Sequence, residues 1–201
     1  MTESPRSAPN PRRRSERSRR AILSAALELC SENGYGRVTI EGIAARAGVS
    51  KKTIYRWWAT KGAVLLEAVI EAVVSTSPLP DTGDIDTDLV THVTSVMRVF
   101  TSPVIGPAYT GILSELLHDE ALARAVNEEL VGPRVALVHE RLRAGQRQGQ
   151  LPADADLELA VEMLYGPLYY RHALKRPFHD PDRIASLVAH VMRALRAPSA
   201  S

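Results

Sequence analysis

The 201 residues are enough for one generous domain or two small ones with a substantial core, and 45% hydrophobic with 24% charged residues is the balance of an ordinary soluble protein. No apolar run approaches the roughly 20 residues that span a bilayer, and the single cysteine, Cys30, excludes an intrachain disulfide and a cysteine-rich zinc site. The net charge of +2 conceals an asymmetry: residues 1–77 hold 13 Lys/Arg against 7 Asp/Glu and residues 78–201 hold 12 against 16, so a basic front end precedes an acidic body, which suits one face for nucleic acid and one that stays off it.

Residues 1–14 interleave Pro5, Pro9 and Pro11 with Arg6, Arg12, Arg13 and Arg14. Such a segment buries too little surface to order itself, so a disordered basic tail is expected, either free or reaching along a DNA groove. No apolar core follows these arginines, so a secretory signal is not expected and a cytoplasmic location is. The first helix is predicted to begin between Ser15 and Ser18 and to run to Glu32, with Ile22, Leu23, Ala26, Leu27, Leu29 and Cys30 on its core face and Asn33-Gly34 as its stop. Arg17, Arg19 and Arg20 at its start could approach a phosphate backbone. Cys30, on the apolar face, reads as a small buried side chain before a redox sensor.

The most informative stretch is TIEGIAARAGVSKKTIYRWWATK, Thr39 to Lys61. Thr39 is a natural N-cap, with Val38 and Ile43 placed as a hydrophobic staple. Ile40, Ile43, Ala44 and Ala47 then fall on one helical face, and Gly48 suits the left-handed cap conformation. Ser50 repeats the start signal, with Val49 and Ile54 as a second staple. Two capped helices about a short glycine turn form a helix-turn-helix. On the second helix Ile54 and Trp58 share a buried face, while Lys51, Lys52, Thr53, Tyr55, Arg56 and Trp57 turn outward, a mixture able to bind phosphates and reach base edges. Thr60 caps a further helix whose first turn holds Lys61, and the lysine together with the free N–H groups makes an anion site of the kind a phosphate occupies. The bland alternative is a solvated basic face on a helical hairpin.

Residues 17–75 resemble the N-terminal DNA-binding domain of TetR-family transcriptional regulators, most specifically in IAARAGVSKKTIYRWWATK. Trp57-Trp58 stands where the family often has histidine or tyrosine before phenylalanine, and Gly62 where glutamate often follows the lysine. The resemblance implies that Ser50, Tyr55, Trp57 and Lys61 meet the phosphate backbone, while Lys51, Lys52 and Thr53, at the start of the recognition helix, meet bases. With Thr39 and Arg56 these complete the expected DNA-contacting set. In family terms the helix from Lys61 to about Val74 links the reading head to the body.

Ser77-Pro78-Leu79-Pro80-Asp81 breaks that helix and marks the expected boundary between a head with its linking helix, 15–77, and a body, 78–201. The body is predicted to be all helix: Asp86–Thr101, Gly106–His118, a short Glu120–Leu130, a helix opened by Pro133 and ending near Gly149, Leu157 to about Leu174 capped by Asp154 or Asp156, and a last helix from Asp180-Pro181. No stretch alternates with period two, so the fold class expected is all-α, about nine helices, with no sheet. The order of these helices and DADLELAVEMLYGPLYYRHAL resemble the ligand-binding and dimerisation region of the same family. A kink is expected at Gly166-Pro167, where proline removes a helical hydrogen bond. Leu157, Val161, Leu164, Leu168, Ile184, Leu187, Val188, Val191 and Leu195 form two apolar stripes expected to build an isologous four-helix dimer interface; the alternative packs them inside one monomer.

No HExxH, GxSxG or glycine-rich phosphate loop is present, and His118-Asp119-Glu120 reads as a cap and loop rather than a metal site. An enzyme is therefore not expected, nor a metal or cofactor. The reading is a dimeric regulator, in the first instance a repressor, that binds a palindromic operator in double-stranded DNA and is released by a small-molecule effector. A ligand-independent DNA-binding or architectural protein stays open. Met97, Phe100, Tyr109, Leu113, Leu116 and Tyr165 are the expected lining of an effector pocket, against plain core packing for any one of them. Few charges fall on these faces, so the effector expected is neutral and mainly hydrophobic rather than a phosphate or dianion.

Overall fold

Side-chain caps and apolar faces set where each helix of the head starts and what it buries. A computed structural model describes residues 11–76, 79–176 and 180–197. Most of the expected basic tail, and the Ser77-Pro78 boundary, therefore lie outside the described residues. Helix α1 spans Pro11–Asn33 and so begins four residues before Ser15, the earliest start expected. A short 3₁₀ turn, Tyr35–Arg37, leads into α2, Ile40–Ala47. The Thr39 hydroxyl accepts the Gly42 N–H at 3.1 Å, and Gly48 closes the helix at φ 66° while Val49 N–H returns to the Ala44 carbonyl at 3.0 Å. Ser50 caps α3 by accepting the Thr53 N–H at 3.2 Å. The regular part of α3 is only Lys51–Tyr55, with one further turn in which Trp58 N–H bonds the Ile54 carbonyl at 3.0 Å. Ile22, Cys30, Ile43 and Ile54 are fully buried in the head core, and Trp58 nearly so.

Helix α4, Lys61–Thr76, packs on α1, and its Val64, Leu65 and Ala68 are buried. Arg19 of α1 bridges to Glu67 and Glu71 of α4, and Glu67 also accepts the indole N–H of Trp58. Arg19, expected near a phosphate backbone, instead fastens two helices of the head together. Its guanidinium pKa is raised, chiefly by the Glu71 hydrogen bond.

The body contains α5 (Ile85–Thr101), α6 (Gly106–Glu115), α7 (Glu120–Ala125), α8 (Gly132–Arg147), α9 (Leu157–Ala173) and α10 (Pro181–Arg196), which makes ten α-helices and no strand among the described residues. Asp84, Asp119, Asp156 and Asp180 cap α5, α7, α9 and α10, each accepting a first-turn N–H. Asp119 thus serves as a cap, and no group of three His, Cys, Asp or Glu side chains placed to hold a metal occurs among the described residues. Between α7 and α8 the chain does not break: Val126–Val131 is a π-helical turn, and the Gly132 N–H bonds the Asn127 carbonyl five residues back. Pro133 follows at once. It has no N–H to give the preceding turn, and the widened turn accommodates that loss.

One buried ion pair pins α5 to α8. The Asp88 carboxylate, with no exposed surface, accepts from Arg141 Nε at 2.8 Å and from the Thr82 hydroxyl at 2.7 Å and N–H at 3.2 Å. Helix α9 stays helical through Pro167. Helix α10 packs on α5 and α9. Val161, Leu164, Leu168, Ile184, Val188 and Val191 are buried within this single chain, and Leu157, Leu187 and Leu195 are half-buried against the same core. Within the chain these faces meet through the contacts of α10 with α5 and α9.

Candidate nucleic-acid interface and cavity

Because Ile54 and Trp58 anchor α3 in the core, its other side is left to solvent. Lys51, Lys52, Tyr55 and Arg56 are exposed there, with Thr53 and Trp57 half-buried beside them. Thr39 and Ser50 are exposed as well; their oxygens accept backbone N–H groups, and the Ser50 and Thr53 hydroxyls lie 3.0 Å apart. Trp57 stands edge-on to Trp58, ring centres 5.2 Å apart, and the Arg56 guanidinium sits 4.9 Å from the Trp57 ring. The surface thus gathers cations, hydroxyls and aromatic rings on one face, the chemistry of phosphate and base-edge contact.

Two expected contacts sit differently. The Lys51 amine pairs with the Glu41 carboxylate of α2 at 2.9 Å, and the pair holds the lysine pKa up and the glutamate pKa down. Both partners are solvent-exposed, so the pair is readily exchanged for a phosphate. The Lys61 amine does not stand in an anion site at the start of α4. It donates to the Tyr35 carbonyl at 3.1 Å and lies 4.7 Å from the centre of the Tyr35 ring. Thr60 supplies the α4 cap, accepting the Ala63 N–H at 3.2 Å.

Tyr35 is also where the head meets the body. Helix α6 packs against α1, α4 and the 3₁₀ turn. It can do so because residue 111 is glycine: a Cβ there would stand 2.2 Å from both Cβ and Cγ of Tyr35. Burial pushes the Tyr35 hydroxyl up to about 12, with Glu115 and Asp119 adding to the shift. The Ser31 hydroxyl makes a second bridge, donating to the Pro103 carbonyl at 2.8 Å.

Behind α6 lies a cavity of about 150 Å³, walled by α4, α5, α6, the π-helical turn, α8 and α9. Phe100, Tyr109 and Tyr165 from the expected set line it. Met97 does not, being buried in the core, and Leu113 and Leu116 on and just after α6 pack half-buried elsewhere. Sequence reasoning missed Tyr169, one helical turn after Tyr165, and the residues contributed by the π-helical turn and its sequel, Leu130, Val131, Arg134 and Val135. It also missed Glu162 and His92, so the wall is not nearly free of charge as expected: Arg134 and Glu162 both reach it. The Tyr109 and Tyr169 hydroxyls bond one another at 2.8 Å, and burial raises the pKa of both and of Tyr165. The Phe100 ring touches Tyr109 and Tyr169 with centres 4.9 and 5.5 Å away. At the outer end of this cluster His172 lies 5.0 Å from Phe100 and 2.9 Å from the Thr110 hydroxyl, its pKa lowered by burial.

Comparison with known proteins finds two family models in the chain. The family described as bacterial regulatory proteins, tetR family, matches residues 22–68, and the tetracyclin repressor-like C-terminal domain matches residues 79–191. An uncharacterised helix-turn-helix transcriptional regulator of Bacillus subtilis, YdeS, is 34% identical over 190 residues, covering 94% of this chain and 96% of its own length. A DNA-binding transcriptional repressor of Mycobacteroides abscessus is 30% identical over 189 residues, covering 93% and 98%. Among solved structures, the TetR family transcription regulator SCO0332 superposes with a TM-score of 0.75 at 32% identity, over 90% of this chain and 99% of that one. No helix among the described residues is long and apolar enough to cross a membrane.

Proposed function

This chain belongs to the TetR family of DNA-binding transcriptional regulators, and from that premise we propose that it is a dimeric, effector-released repressor. The observation that carries the reading is the position of α4. Its first turn is tied to the head through Lys61 and Tyr35, its middle through Glu67, Glu71 and Arg19, and further along the same helix Val73 lines the cavity. A ligand in the cavity touches the helix that carries the reading head. The exposed residues of α3, with Thr39, Ser50 and Lys61, are the proposed DNA contacts; Lys61 would exchange a carbonyl for a phosphate. The Mycobacteroides abscessus relative is described as a repressor, which supports that sign of regulation here.

The proposed dimer uses the outward sides of α9 and α10, since their inward stripes are already occupied. Leu159, Tyr170 and Leu174 are the large apolar groups exposed on and just after α9. A two-fold axis there would set two recognition helices on successive major grooves, about 34–36 Å apart or a multiple of that. Selection of bound DNA from a random pool, followed by sedimentation and by release of the selected site with a compound panel, tests the reading. A palindromic site bound by a dimer and freed by one compound class supports it. A monomer that binds a full palindrome tightly, or a complex that no compound filling the cavity weakens, refutes the dimer or the effector part respectively.

A further inference from the structure

Resting on the proposal that Arg56 contacts DNA, we infer that Trp57 is a positioning residue for it. The indole face holds the Arg56 guanidinium where it takes a backbone phosphate, and Trp57 acts through that arginine rather than by touching DNA itself. Adjacent side chains on a regular helix do not face one another. Here the regular part of α3 ends at Tyr55, and in the turn that follows the Trp57 N–H bonds the Ile54 carbonyl three residues back at 2.9 Å. In that tighter turn the guanidinium carbon of Arg56 lies 4.9 Å from the centre of the Trp57 ring, inside the roughly 6 Å over which an aromatic face attracts a cation. The ring is half-buried and packs against the core. Trp58 meets it edge-on at 5.2 Å, and Trp58 is itself nearly fully buried. Its indole N–H is given to Glu67 of α4, which Arg19 of α1 also holds. The arginine thus rests on a platform that is fastened to α1 and α4.

Three other cations of the head, Arg19, Arg46 and Lys51, pair with glutamates. Arg56 is exposed and makes no ion pair among the described residues, so the ring is the contact that directs it. The stacked position keeps the charge on the reading face, since Arg56 borders the same shallow depression as Ser50, Lys52, Thr53 and Tyr55. Residues at the start of a recognition helix reach base edges, whereas Arg56 closes the far end of α3, a position suited to the backbone. An arginine has many rotamers, and apparent affinity scales with the fraction that is already competent to bind. A cation–π contact at an exposed site raises that fraction by about two- to fivefold. A protein that sets two recognition helices on DNA gains the square of this, about five- to thirtyfold.

Fluorescence anisotropy of the full-length protein on a labelled duplex over a salt series tests this; the selected operator or a mixed sequence at low salt serves, because both carry the same phosphates. Trp57→Leu keeps apolar bulk against the core and removes the π face, and it should weaken binding by about two- to fivefold per recognition helix. Trp57→Phe should restore most of that loss. Arg56→Ala should weaken binding and flatten the salt dependence by about one unit of logarithmic slope per recognition helix. Added to Arg56→Ala, Trp57→Leu should cost less than about twofold more, because the two act as one unit. Circular dichroism checks that each variant is folded. Equal losses from Trp57→Leu with and without Arg56, or tighter binding by Trp57→Leu, overturn the inference and leave Arg56 on the DNA face. Affinity and salt slope unchanged in Arg56→Ala remove Arg56 from that face, and the inference falls with it. Should Trp57→Leu not fold, proton resonances of the free wild-type protein decide: the ring current should displace the Arg56 side-chain methylenes, and random-coil positions for them overturn the inference.

Discussion

The contact between Gly111 and Tyr35 offers a sharp test of how the body holds the reading head. Non-bonded carbons rest about 3.5–4.0 Å apart, whereas a Cβ at residue 111 would stand 2.2 Å from Cβ and Cγ of Tyr35. In Gly111→Ala the ring or the helix must therefore move by about 1.3 Å or more. Rotating the tyrosine does not relieve this, because its own Cβ is one of the atoms struck. Overpacking of this kind costs about 1–3 kcal/mol, and a contact with a backbone-fixed atom belongs at the upper end. Alanine returns about 1 kcal/mol of helix propensity in the middle of α6. The net loss expected is about 2 kcal/mol, a melting temperature lower by about 4–8 °C for a chain of this size. Operator affinity should fall as well, since the displaced surface is the one against which the head is set. Thermal melts and fluorescence anisotropy on the selected operator measure the two effects. Tyr35→Gly removes every struck atom, so in the double variant the alanine should be tolerated, with a coupling of at least about 1 kcal/mol. Unchanged melting and affinity in Gly111→Ala, or strict additivity in the double variant, would refute the proposed joint.

Asp88→Ala should lower stability by about 3 kcal/mol, because Arg141 is left buried with only the exposed Asp81 carboxylate at 3.5 Å; a denaturant melt with an unchanged midpoint would contradict this. Lys52→Ala should alter the preferred base at one position of each half-site, and an unchanged selected motif would remove Lys52 from the reading face. Glu41→Gln should release Lys51 and make operator binding steeper in salt by about one unit of logarithmic slope, which a salt series measures. Burial lowers the His172 pKa, so the folded state binds fewer protons than the unfolded one. Its contribution to stability is present above the ordinary histidine range near pH 6.5 and fades as pH falls through it. Melting should drop as pH falls through the ordinary histidine range, and His172→Gln should flatten part of that drop.

The caps and the helix-turn-helix were legible because they are local. Thr39, Gly48, Ser50, Asp156 and Asp180 act on backbone groups within a few residues, so spacing alone locates them. What the apolar stripe of α10 meets within the chain was not legible for the opposite reason. A 3.6-residue periodicity in α10 states that Ile184, Val188 and Val191 are buried, not against what, and the intramolecular partner α5 is some ninety residues away in sequence. The partners that Lys61 and Arg19 find inside the head were not legible for the same reason: charge and spacing suggest a phosphate ligand, and only the folded chain brings the Tyr35 carbonyl and the Glu67 and Glu71 carboxylates near. Part of the cavity wall was readable in principle. Gly132-Pro133 in the middle of an otherwise helical run signals a turn that cannot keep the usual bonding, and the π-helical turn there turns Leu130 and Val131 to the cavity.

These pieces meet on α6, a helix of ten residues. Tyr109 places its ring on the cavity wall, and two residues later Gly111 receives the Tyr35 ring whose carbonyl holds Lys61 of α4. At the start of α6 a Cβ on Gly106 would stand 2.7 Å from the Phe100 carbonyl, so this end fits closely against α5, whose Phe100 also lines the cavity. Helix α6 is thus held closely at its start by α5 and at its middle by Tyr35. On the proposed function, an effector that separates Phe100 from Tyr109 would move α6 against Tyr35 and, through Lys61, change how α4 carries the head. Tight binding alone would not achieve release: the ligand must favour the shifted arrangement over the one that fits DNA. A coupling of about 3 kcal/mol would weaken the operator complex by more than about a hundredfold. That coupling must be reciprocal, so operator DNA should weaken effector binding by the same factor, and a titration of effector into the free protein and into the complex measures both directions. Equal effector affinity in the two states would show that α6 transmits nothing, however closely it touches both sites.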